Sequence, residues 1–340
     1  MNLFKIVRKR TDKSIDKSNP YRDVGTVLLF VFLLPYVISS LWGHVGEETE
    51  NISDTKKEKT DWIDEKYEIA LSGNWGIRKM SMHEYLIRKL EIVLGQDEEE
   101  NITYELETLK AQAILLRTEL WELILSNNGR DNDDNIIIQD DTVMYGIKEK
   151  STLCEQAVED TDGIYLAYEN RPVKPAFFPV SNGHTRSASE VWGSISYPYL
   201  VSVECNQDIL ADDYQTQVIV SKDEYCRIIL ELHKNVETSN NELNNVWNNA
   251  EFSYDSAGYV VEANVDGYSL SGETFRTAFG LNSACFNVEW KDDEVIFHVT
   301  GVGHGFGMSQ YGANERAVSG ETFDQILKYY FFNTELAKIE

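Results

Sequence analysis

The stretch at residues 301–313, GVGHGFGMSQYGA, limits how this chain can fold more than any other part of the sequence. Four glycines stand at alternate positions, 301, 303, 305 and 307, and His304 lies among them. Glycine weakens helices and strands, but it tolerates a positive φ and a close approach of neighbouring backbone. We call residues 301–307 the glycine loop and predict that it is tight and rigid. The side chains that such a loop would present are His304, Ser309, Gln310 and Tyr311.

Residues 24–42, VGTVLLFVFLLPYVISSLW, carry no charge over 19 positions. A helix of this length spans roughly 28 Å, which is close to the hydrocarbon thickness of a bilayer. The residues before it carry a net charge of +4, and the positive-inside rule keeps such a segment in the cytoplasm. We therefore predict a cytoplasmic tail at 1–23, a single transmembrane helix at 24–42 that anchors the protein in the cell membrane, and an extracytoplasmic remainder. A cleaved signal peptide is the alternative, which the long charged segment and the lack of an A-x-A-like site disfavour.

The chain after the predicted span is strongly acidic. Residues 43–340 contain 24 Lys and Arg against 54 Asp and Glu, a net charge of −30. A charge of this sign repels nucleic acid and anionic lipid, so we expect no nucleic-acid partner. The four cysteines are far apart and show no metal-binding spacing, so they form either two disulfides or free thiols. Nothing in the sequence indicates a cofactor.

The distribution of apolar residues predicts an α+β fold. Residues 43–66 are polar and indicate a juxtamembrane spacer, after which residues 67–340 form the extracytoplasmic domain. The strongest helical pattern lies between Thr103 and Ser126, a stretch without Gly or Pro. Strand-like runs dominate from residue 163 onward, and Thr322 with Gln325 indicates the capped start of a last helix. We expect several helices followed by a mostly antiparallel curved sheet that returns to the glycine loop.

A series of sequence blocks resembles one known family. The blocks are EYL at 84–86, ETLKAQAILLRT at 107–118, SNGHT at 181–185, EVWG at 190–193, YPYL at 197–200, LSGETFR at 270–276, and the glycine-rich stretch. In this order, behind one N-terminal span, they resemble stage II sporulation protein D and the related amidase-enhancer proteins, over residues 78–336. The chain is similar to this family as a divergent member.

This resemblance implies a membrane-anchored factor that acts on peptidoglycan during engulfment of the forespore. Family enzymes look like lytic transglycosylases that cut the glycan strands of peptide-stripped peptidoglycan and work with a cell-wall amidase. Such chemistry needs a carboxylic acid to protonate the glycosidic oxygen, and that acid needs a raised pKa.

The implied acid stands nine residues after Glu84, where this chain has Val93. Valine carries no proton to donate, so the expected acid is lost. The nearest carboxylate, Glu91, lies about 140° around the predicted helix from Leu86, away from its apolar face. Glu91 is therefore a candidate catalytic residue only if the chain is an active enzyme with a displaced carboxylate.

Of the other residues that the resemblance implies for the site, two are present and one is replaced. An arginine and a tyrosine match at Arg117 and Tyr199, but the lysine of the family's PYLK segment is Val201 here. Clostridial members bind zinc through a His and two Cys shortly after the LKAQA helix, and residues 127–153 contain neither type. We therefore expect no structural zinc and no metal site.

The resemblance implies a glycan-binding cleft, and each of its residues also has a structural interpretation. His304 can order the loop by hydrogen bonding, residues 309–311 can cap the following helix, and Arg117 can pair with a neighbouring carboxylate. The aromatic residues Trp192, Tyr197 and Tyr199 suit stacking against sugars, but the sequence favours a core position for them. The expected cleft residues are Arg117, Ser181, Thr185, Tyr199, Arg276, His304, Ser309, Gln310 and Tyr311.

Two hypotheses about function follow. The first is a peptidoglycan-binding protein that does not cut the glycan strand and modulates a partner amidase. The second is an active lytic transglycosylase that uses Glu91 or another nearby carboxylate. The replacements at Val93 and Val201 favour the first. An anchored adaptor without affinity for glycan is a third reading.

Overall fold

The computed structural model describes residues 61–73, 76–94, 104–126, 136–140, 142–143, 151–193, 197–234 and 245–340. The predicted cytoplasmic tail, the transmembrane helix and most of the spacer fall within residues 1–60 and lie outside these ranges. Within the described ranges, the helices are too short or too polar for any of them to cross a bilayer.

Helices and strands alternate along the described chain, and the prediction of an α+β fold is confirmed. The helices are α1 (Met82–Leu94), α2 (Leu106–Leu125), α3 (Thr152–Asp160), α4 (Ala188–Trp192), α5 (Lys222–Lys234), α6 (Gly272–Ala278), α7 (Gln310–Val318) and α8 (Phe323–Tyr330). Two short 3-10 turns lie at Asp64–Lys66 and Asn206–Leu210. The predicted capping box is present at the start of α8, where the Thr322 N–H donates to Oε1 of Gln325.

The strands are short and divide into several sheets. They are β1 (Glu68–Gly73), β2 (Gly76–Ser81), β3 (Ile136–Gln139), β4 (Ile164–Tyr168), β5 (Arg171–Pro172), β6 (Phe177–Phe178), β7 (Gln215–Ser221), β8 (Ala250–Tyr254), β9 (Val260–Val265), β10 (Tyr268–Ser271), β11 (Phe286–Trp290), β12 (Glu294–Thr300), β13 (Met308–Ser309) and β14 (Glu335–Lys338).

Small sheets take the place of the one curved sheet that the sequence predicted. The described strands are ordered β2-β1-β3, β10-β9-β8, β11-β12-β7, β13-β6 and β14-β4-β5. Their pairing is antiparallel except between β1 and β3 and between β6 and β13. The parallel pair β6–β13 holds the end of the glycine loop, because β13 directly follows it.

Three clusters of buried apolar side chains form the interior. The first cluster joins α1, α2 and α3 with β1, and the second joins α5 and α6 with β7, β9 and β12. The third cluster joins the opposite side of α2 to α7, α8 and β4. Helix α2 thus contributes Leu109 and Leu116 to the first cluster and Ile114 and Leu115 to the third. A helix that is apolar on several sides is typically buried, and α2 is the central helix of the domain.

Arg117 on α2 is completely buried and does not reach a cleft. Its Nε and Nη2 donate to the carboxylate of Asp64 at 2.7–3.0 Å, and its remaining hydrogen bonds go to Thr161 and to the backbone of Val158 and Ile164. The prediction that Arg117 lines a cleft is therefore wrong. A buried guanidinium must be paired inside the protein, and Arg117 is paired with Asp64. Asp64 belongs to residues assigned to the spacer, so the packed domain begins before Tyr67.

We expect Arg117→Met to lower the free energy of unfolding by about 3–5 kcal/mol, because it leaves the Asp64 carboxylate buried and unpaired. Adding Asp64→Leu to the same chain should recover much of that loss, since two apolar side chains need no ion pair. Urea denaturation of the full-length protein, followed by circular dichroism, measures both effects. Arg227→Met is the control, because Arg227 is 51% exposed and its pairs with Glu224 and Glu231 lie on the surface. Equal losses of unfolding free energy in Arg117→Met and Arg227→Met would contradict the role of Arg117 in a buried ion pair.

Candidate functional site

The glycine loop connects β12 to β13 through left-handed backbone. The φ angles of its four glycines lie between 75° and 107°, a region that other residues rarely adopt. At the end of the loop there is also no room for a side chain. A Cβ at Gly305 would lie 2.7 Å from Cζ of Tyr259, and a Cβ at Gly307 would lie 2.0 Å from the carbonyl oxygen of Ala176. Both predicted reasons for the glycines, positive φ and close approach, are confirmed.

The loop lies against the chain segment that contains the SNGHT block. Val180 and Val302 exchange two backbone hydrogen bonds, with N···O distances of 3.1 and 2.7 Å. The Arg186 N–H donates to the carbonyl oxygen of Gly305 at 2.7 Å. Two segments of the chain, represented by Arg186 and His304 at 118 positions apart, thus lie in direct contact.

Arg186 supports the glycine loop from inside the protein. Its Nε donates to Oδ2 of Asp255 at 2.6 Å, and its Nη1 donates to the carbonyl oxygen of His304 at 3.3 Å. The guanidinium also lies over the rings of Tyr259 and Phe306, at 4.9 and 4.7 Å from their centroids. Only 2% of Arg186 is exposed, so its charge is stabilised by two carboxylates, Asp255 and Glu273, and by two aromatic faces.

His304 is half-buried at the surface of the loop. Its Nδ1 accepts a hydrogen bond from the Phe306 N–H at 3.1 Å, so the neutral ring carries its proton on Nε2. Burial lowers the pKa of His304, Glu273 opposes this shift, and Arg276 adds to it. His304 therefore orders the loop through the backbone, as the structural interpretation expected, while part of its ring reaches the surface.

A charged pair lies next to His304 on α6. The Nη1 of Arg276 donates to Oε2 of Glu273 at 2.9 Å, and its Nε donates to the carbonyl oxygen of Leu281 at 3.2 Å. The other oxygen of Glu273 lies 3.5 Å from Nη1 of Arg186. The side chains of Glu273 and Arg276 are 40% and 24% exposed. The predicted cleft residue Arg276 is therefore accessible, and it is held in place by Glu273.

Asp208, in the second 3-10 turn, connects two of the predicted site residues. Its Oδ2 accepts hydrogen bonds from the Ser181 N–H and the Ser309 hydroxyl, both at 2.6 Å. All three residues are completely buried. Burial raises the pKa of Asp208, and the hydrogen bonds from Ser309 and Ser181 oppose this shift. Ser309 also accepts from the Gly312 N–H and so caps α7. Ser181 and Ser309 thus hold the site together and are closed to solvent.

Two further expected cleft residues lie inside the protein. The Nε2 of Gln310 donates to Oε1 of Gln112 on α2 at 3.2 Å, so the glycine-rich stretch is attached to the LKAQA helix. The Thr185 hydroxyl donates to the carbonyl oxygen of Val201 at 3.1 Å. Both residues therefore position neighbouring segments.

The nine expected cleft residues divide into six that are buried and three that are partly exposed. Tyr199 belongs to the buried group, and its hydroxyl accepts from the Lys174 N–H at 2.8 Å. The partly exposed residues are Arg276, His304 and Tyr311. The accessible part of the site thus contains fewer of the expected residues than the sequence predicted.

The positions discussed as catalytic lie on α1 and after α4. Val93, at the implied acid position, is partly buried and packs against the first apolar cluster. The carboxylate of Glu91 accepts a hydrogen bond from the Ser151 N–H, directly before α3. Glu91 therefore caps the start of α3 in this structure. Val201 is half-buried, and its backbone supports Thr185 as described above.

Sequence reasoning missed Arg186 and Asp208, and it wrongly favoured the core for Trp192. Arg186 follows the SNGHT block directly, but its carboxylate partner stands 69 positions away, and Ser309 stands 101 positions from Asp208. No local spacing shows such pairs. Trp192 was weighed between the core and sugar stacking, and it is 51% exposed.

The described residues contain no group of three or more His, Cys, Asp or Glu side chains placed to hold a metal ion. All four cysteines are free thiols, so the disulfides that the sequence left open are not formed. Burial raises the pKa of Cys154 and of Cys205 to about 12. These buried thiols are therefore poor nucleophiles at neutral pH.

Comparison with known proteins gives a consistent set of relatives. The sequence model of a family described as stage II sporulation protein matches residues 73–168. Stage II sporulation protein D of Bacillus subtilis (strain 168) is 31% identical over 291 residues, which cover 80% of this chain and 79% of the relative. The protein of the same name from Bacillus amyloliquefaciens is 29% identical over 315 residues, covering 87% and 85%. The amidase enhancer of Bacillus subtilis (strain 168) is 28% identical over 282 residues, covering 69% of this chain and 38% of the relative.

We expect Gly307→Ala to destabilise the protein more than Gly320→Ala. Both glycines have a positive φ, 76° and 92°, so each substitution strains the backbone by roughly 1–2 kcal/mol. A Cβ at Gly320 meets no atom within 4 Å, whereas one at Gly307 meets the Ala176 carbonyl. Overpacking should add roughly 1–3 kcal/mol at Gly307 alone. Urea midpoints of the two variants measure the difference, and equal midpoints would contradict the close packing of the loop.

Proposed function

Since the chain belongs to the stage II sporulation protein D family, we propose that it is a cell-wall protein of sporulation that binds peptidoglycan glycan strands without cutting them. The proposed ligand is the peptide-stripped strand, exposed during engulfment. One relative is named an amidase enhancer, and we extend the proposal to a cell-wall amidase that this chain modulates.

One observation carries the proposal, the fixed set of polar groups at the surface of the glycine loop. His304, Glu273 and Arg276 are partly exposed, and each is held by a hydrogen bond or ion pair to the protein. Ligand sites commonly combine a few fixed polar groups with aromatic surface. Sugars offer hydroxyl and acetamido groups to such donors and acceptors, so a glycan strand suits this surface.

A catalytic acid needs a raised pKa, access to the substrate and partly apolar surroundings. Asp208, Asp255 and Glu273, the carboxylates around the glycine loop, do not combine these properties. Asp208 has a raised pKa but is completely buried, and Asp255 is buried against Arg186. Glu273 is exposed, but its surroundings are the guanidinium groups of Arg186 and Arg276, whereas a glycosidase acid typically lies in a partly apolar pocket. Together with the valine at position 93, this supports binding without cleavage.

The uncharged segment at residues 24–42 supports a membrane anchor. We propose a single-pass protein with its N-terminus in the cytoplasm and its acidic domain on the outer side. This arrangement brings the glycine loop to the compartment that contains peptidoglycan.

One observation favours lytic transglycosylase activity as a second candidate. Glu119 stands seven residues after Gln112 on α2, hence on the same face and about 10 Å along the helix axis. Glu119 is exposed by its accessible surface, but desolvation of its carboxylate by the surrounding protein raises its pKa, Lys89 opposes this shift, and Asp140 and Glu122 add repulsion. A raised pKa suits a general acid. Glu119 therefore joins Glu91 as a displaced carboxylate to test.

The test uses the full-length protein in detergent micelles with peptide-stripped glycan strands. We expect the strands to retain the protein and to show no anhydro-muramic ends by mass spectrometry. Arg276→Ala should weaken binding by roughly tenfold, since it removes an accessible charged donor. Arg227→Ala is the matched control, because Arg227 forms a similar ion pair with the residue three positions earlier, Glu224, on an exposed helix.

Anhydro-muramic ends that disappear in Glu119→Gln or Glu91→Gln would overturn the proposal in favour of an active transglycosylase. Absence of any binding by the unmodified protein would instead support the adaptor without glycan affinity. Equal weakening by Arg276→Ala and Arg227→Ala would mean that binding depends on overall charge and not on this site.

A further inference from the structure

The most exposed aromatic ring near the glycine loop belongs to Trp192, at the end of α4. Half of this residue, 51%, is exposed. One face of its indole is stacked on Phe306 of the glycine loop, with centroids 4.4 Å apart and an interplanar angle of 23°. Phe306 covers one face and Tyr197 meets the indole in a T-shaped contact, so the exposed area is the part of the opposite face and edges that these two rings leave open. Packing of the core does not explain a tryptophan at this position, because half of the residue is exposed.

Trp192 is the outer member of a column of stacked groups. Asp255 is paired with Arg186, Arg186 lies 4.7 Å from the centroid of Phe306, and Phe306 lies under the indole. Arg186 and Phe306 are 2% and 5% exposed. The indole therefore rests on a buried ion pair and has a fixed orientation.

A separate contact holds α4 in place. The carboxylate of Glu190 accepts hydrogen bonds from the Ser256 N–H at 2.6 Å and from the Ser256 hydroxyl at 2.5 Å. Ser256 directly follows Asp255, so one turn positions both the inner end of the column and the helix that carries Trp192. Gly193 ends α4 in left-handed backbone with φ 59°. The indole is thus positioned by two independent contacts with the turn.

Polar groups lie next to Phe306, the ring on which the indole rests. The ring of His304 lies 6.0 Å from that of Phe306, and Glu273 contacts Arg186, which covers the other side of Phe306. Tyr197 meets the indole in a T-shaped contact at 5.7 Å. A pyranose ring has one face of C–H groups and a rim of hydroxyl and acetamido groups, so it matches an open aromatic face with polar groups at its edge. An apolar peptide side chain would form no hydrogen bonds with these polar groups.

We propose that Trp192 is a sugar-stacking residue and that one N-acetylated sugar ring of the glycan strand lies on its open face. Glu190 is a positioning residue, because it acts through Trp192 and does not contact the ligand. The proposal rests on the proposed function, since it names the place on the same site where the strand is held.

The test measures binding of the full-length protein to peptide-stripped glycan strands and, separately, to soluble N-acetylglucosamine oligomers. We expect Trp192→Ala to weaken both by roughly tenfold or more, and Trp192→Phe to stay within about threefold because it keeps an aromatic face. Phe332→Ala is the matched control, because Phe332 is an aromatic residue with 61% exposure and no ring contact to the loop. The urea midpoints of all variants are measured alongside.

Glu190 provides a readout that a purely structural role would not give. Glu190→Ala should weaken glycan binding with the same urea midpoint, and Glu190→Gln should restore part of it, because the amide oxygen still accepts from Ser256. Strand binding that is intact in the unmodified protein and unchanged in Trp192→Ala would overturn the sugar-stacking proposal and leave the proposed function standing. Failure of the unmodified protein to bind strands would overturn both. Loss of amidase binding in Trp192→Ala, with glycan binding unchanged, would assign the indole to a protein partner and contradict the proposal.

Discussion

The ion pair between Arg186 and Asp255 is the interaction on which the glycine loop depends. A guanidinium that is 2% exposed must find a carboxylate and further contacts inside the protein, and here it finds Asp255 at 2.6 Å and two aromatic faces. The same side chain bonds the backbone of the loop at His304, and the methylene groups of Arg186 occupy the space that a side chain at Gly305 would need. The left-handed glycines are therefore shaped around this arginine.

The local features of the fold were predictable from the sequence, and the long-range ones were not. Positive φ at alternate glycines, the apolar face of α2 and the capping box at Thr322 are properties of neighbouring residues, so they can be read from spacing. The partners of Arg117 and Arg186 are not local. Arg117 stands within a recognisable block and Arg186 directly after one, but Arg117 pairs with a carboxylate 53 positions before it and Arg186 with one 69 positions after it. Sequence spacing gave no means to decide which arginine lies at the site.

The same limit explains the expected cleft residues that proved to be buried. Ser181, Ser309 and Gln310 stand in blocks that resemble a glycan-binding family, yet their partners are Asp208 and Gln112, inside the protein. The Ser309 hydroxyl, the Ser181 N–H and the Gln310 amide thus connect distant segments of the chain through buried hydrogen bonds. These residues position the surface, and its accessible groups are His304, Arg276, Glu273 and Trp192.

Amide hydrogen exchange in an Arg186→Lys variant tests the central role of the ion pair most directly. Lysine keeps the charge but loses the planar fork that bonds Asp255 and stacks on Phe306. In the native protein the N–H groups of Val302, Gly303 and Met308 are all bonded to neighbouring backbone. We predict that these three amides exchange at least roughly tenfold faster in the variant, while the amides of α2 keep their native rates. Unchanged protection of the loop, or equal acceleration in the loop and in α2, would contradict the account.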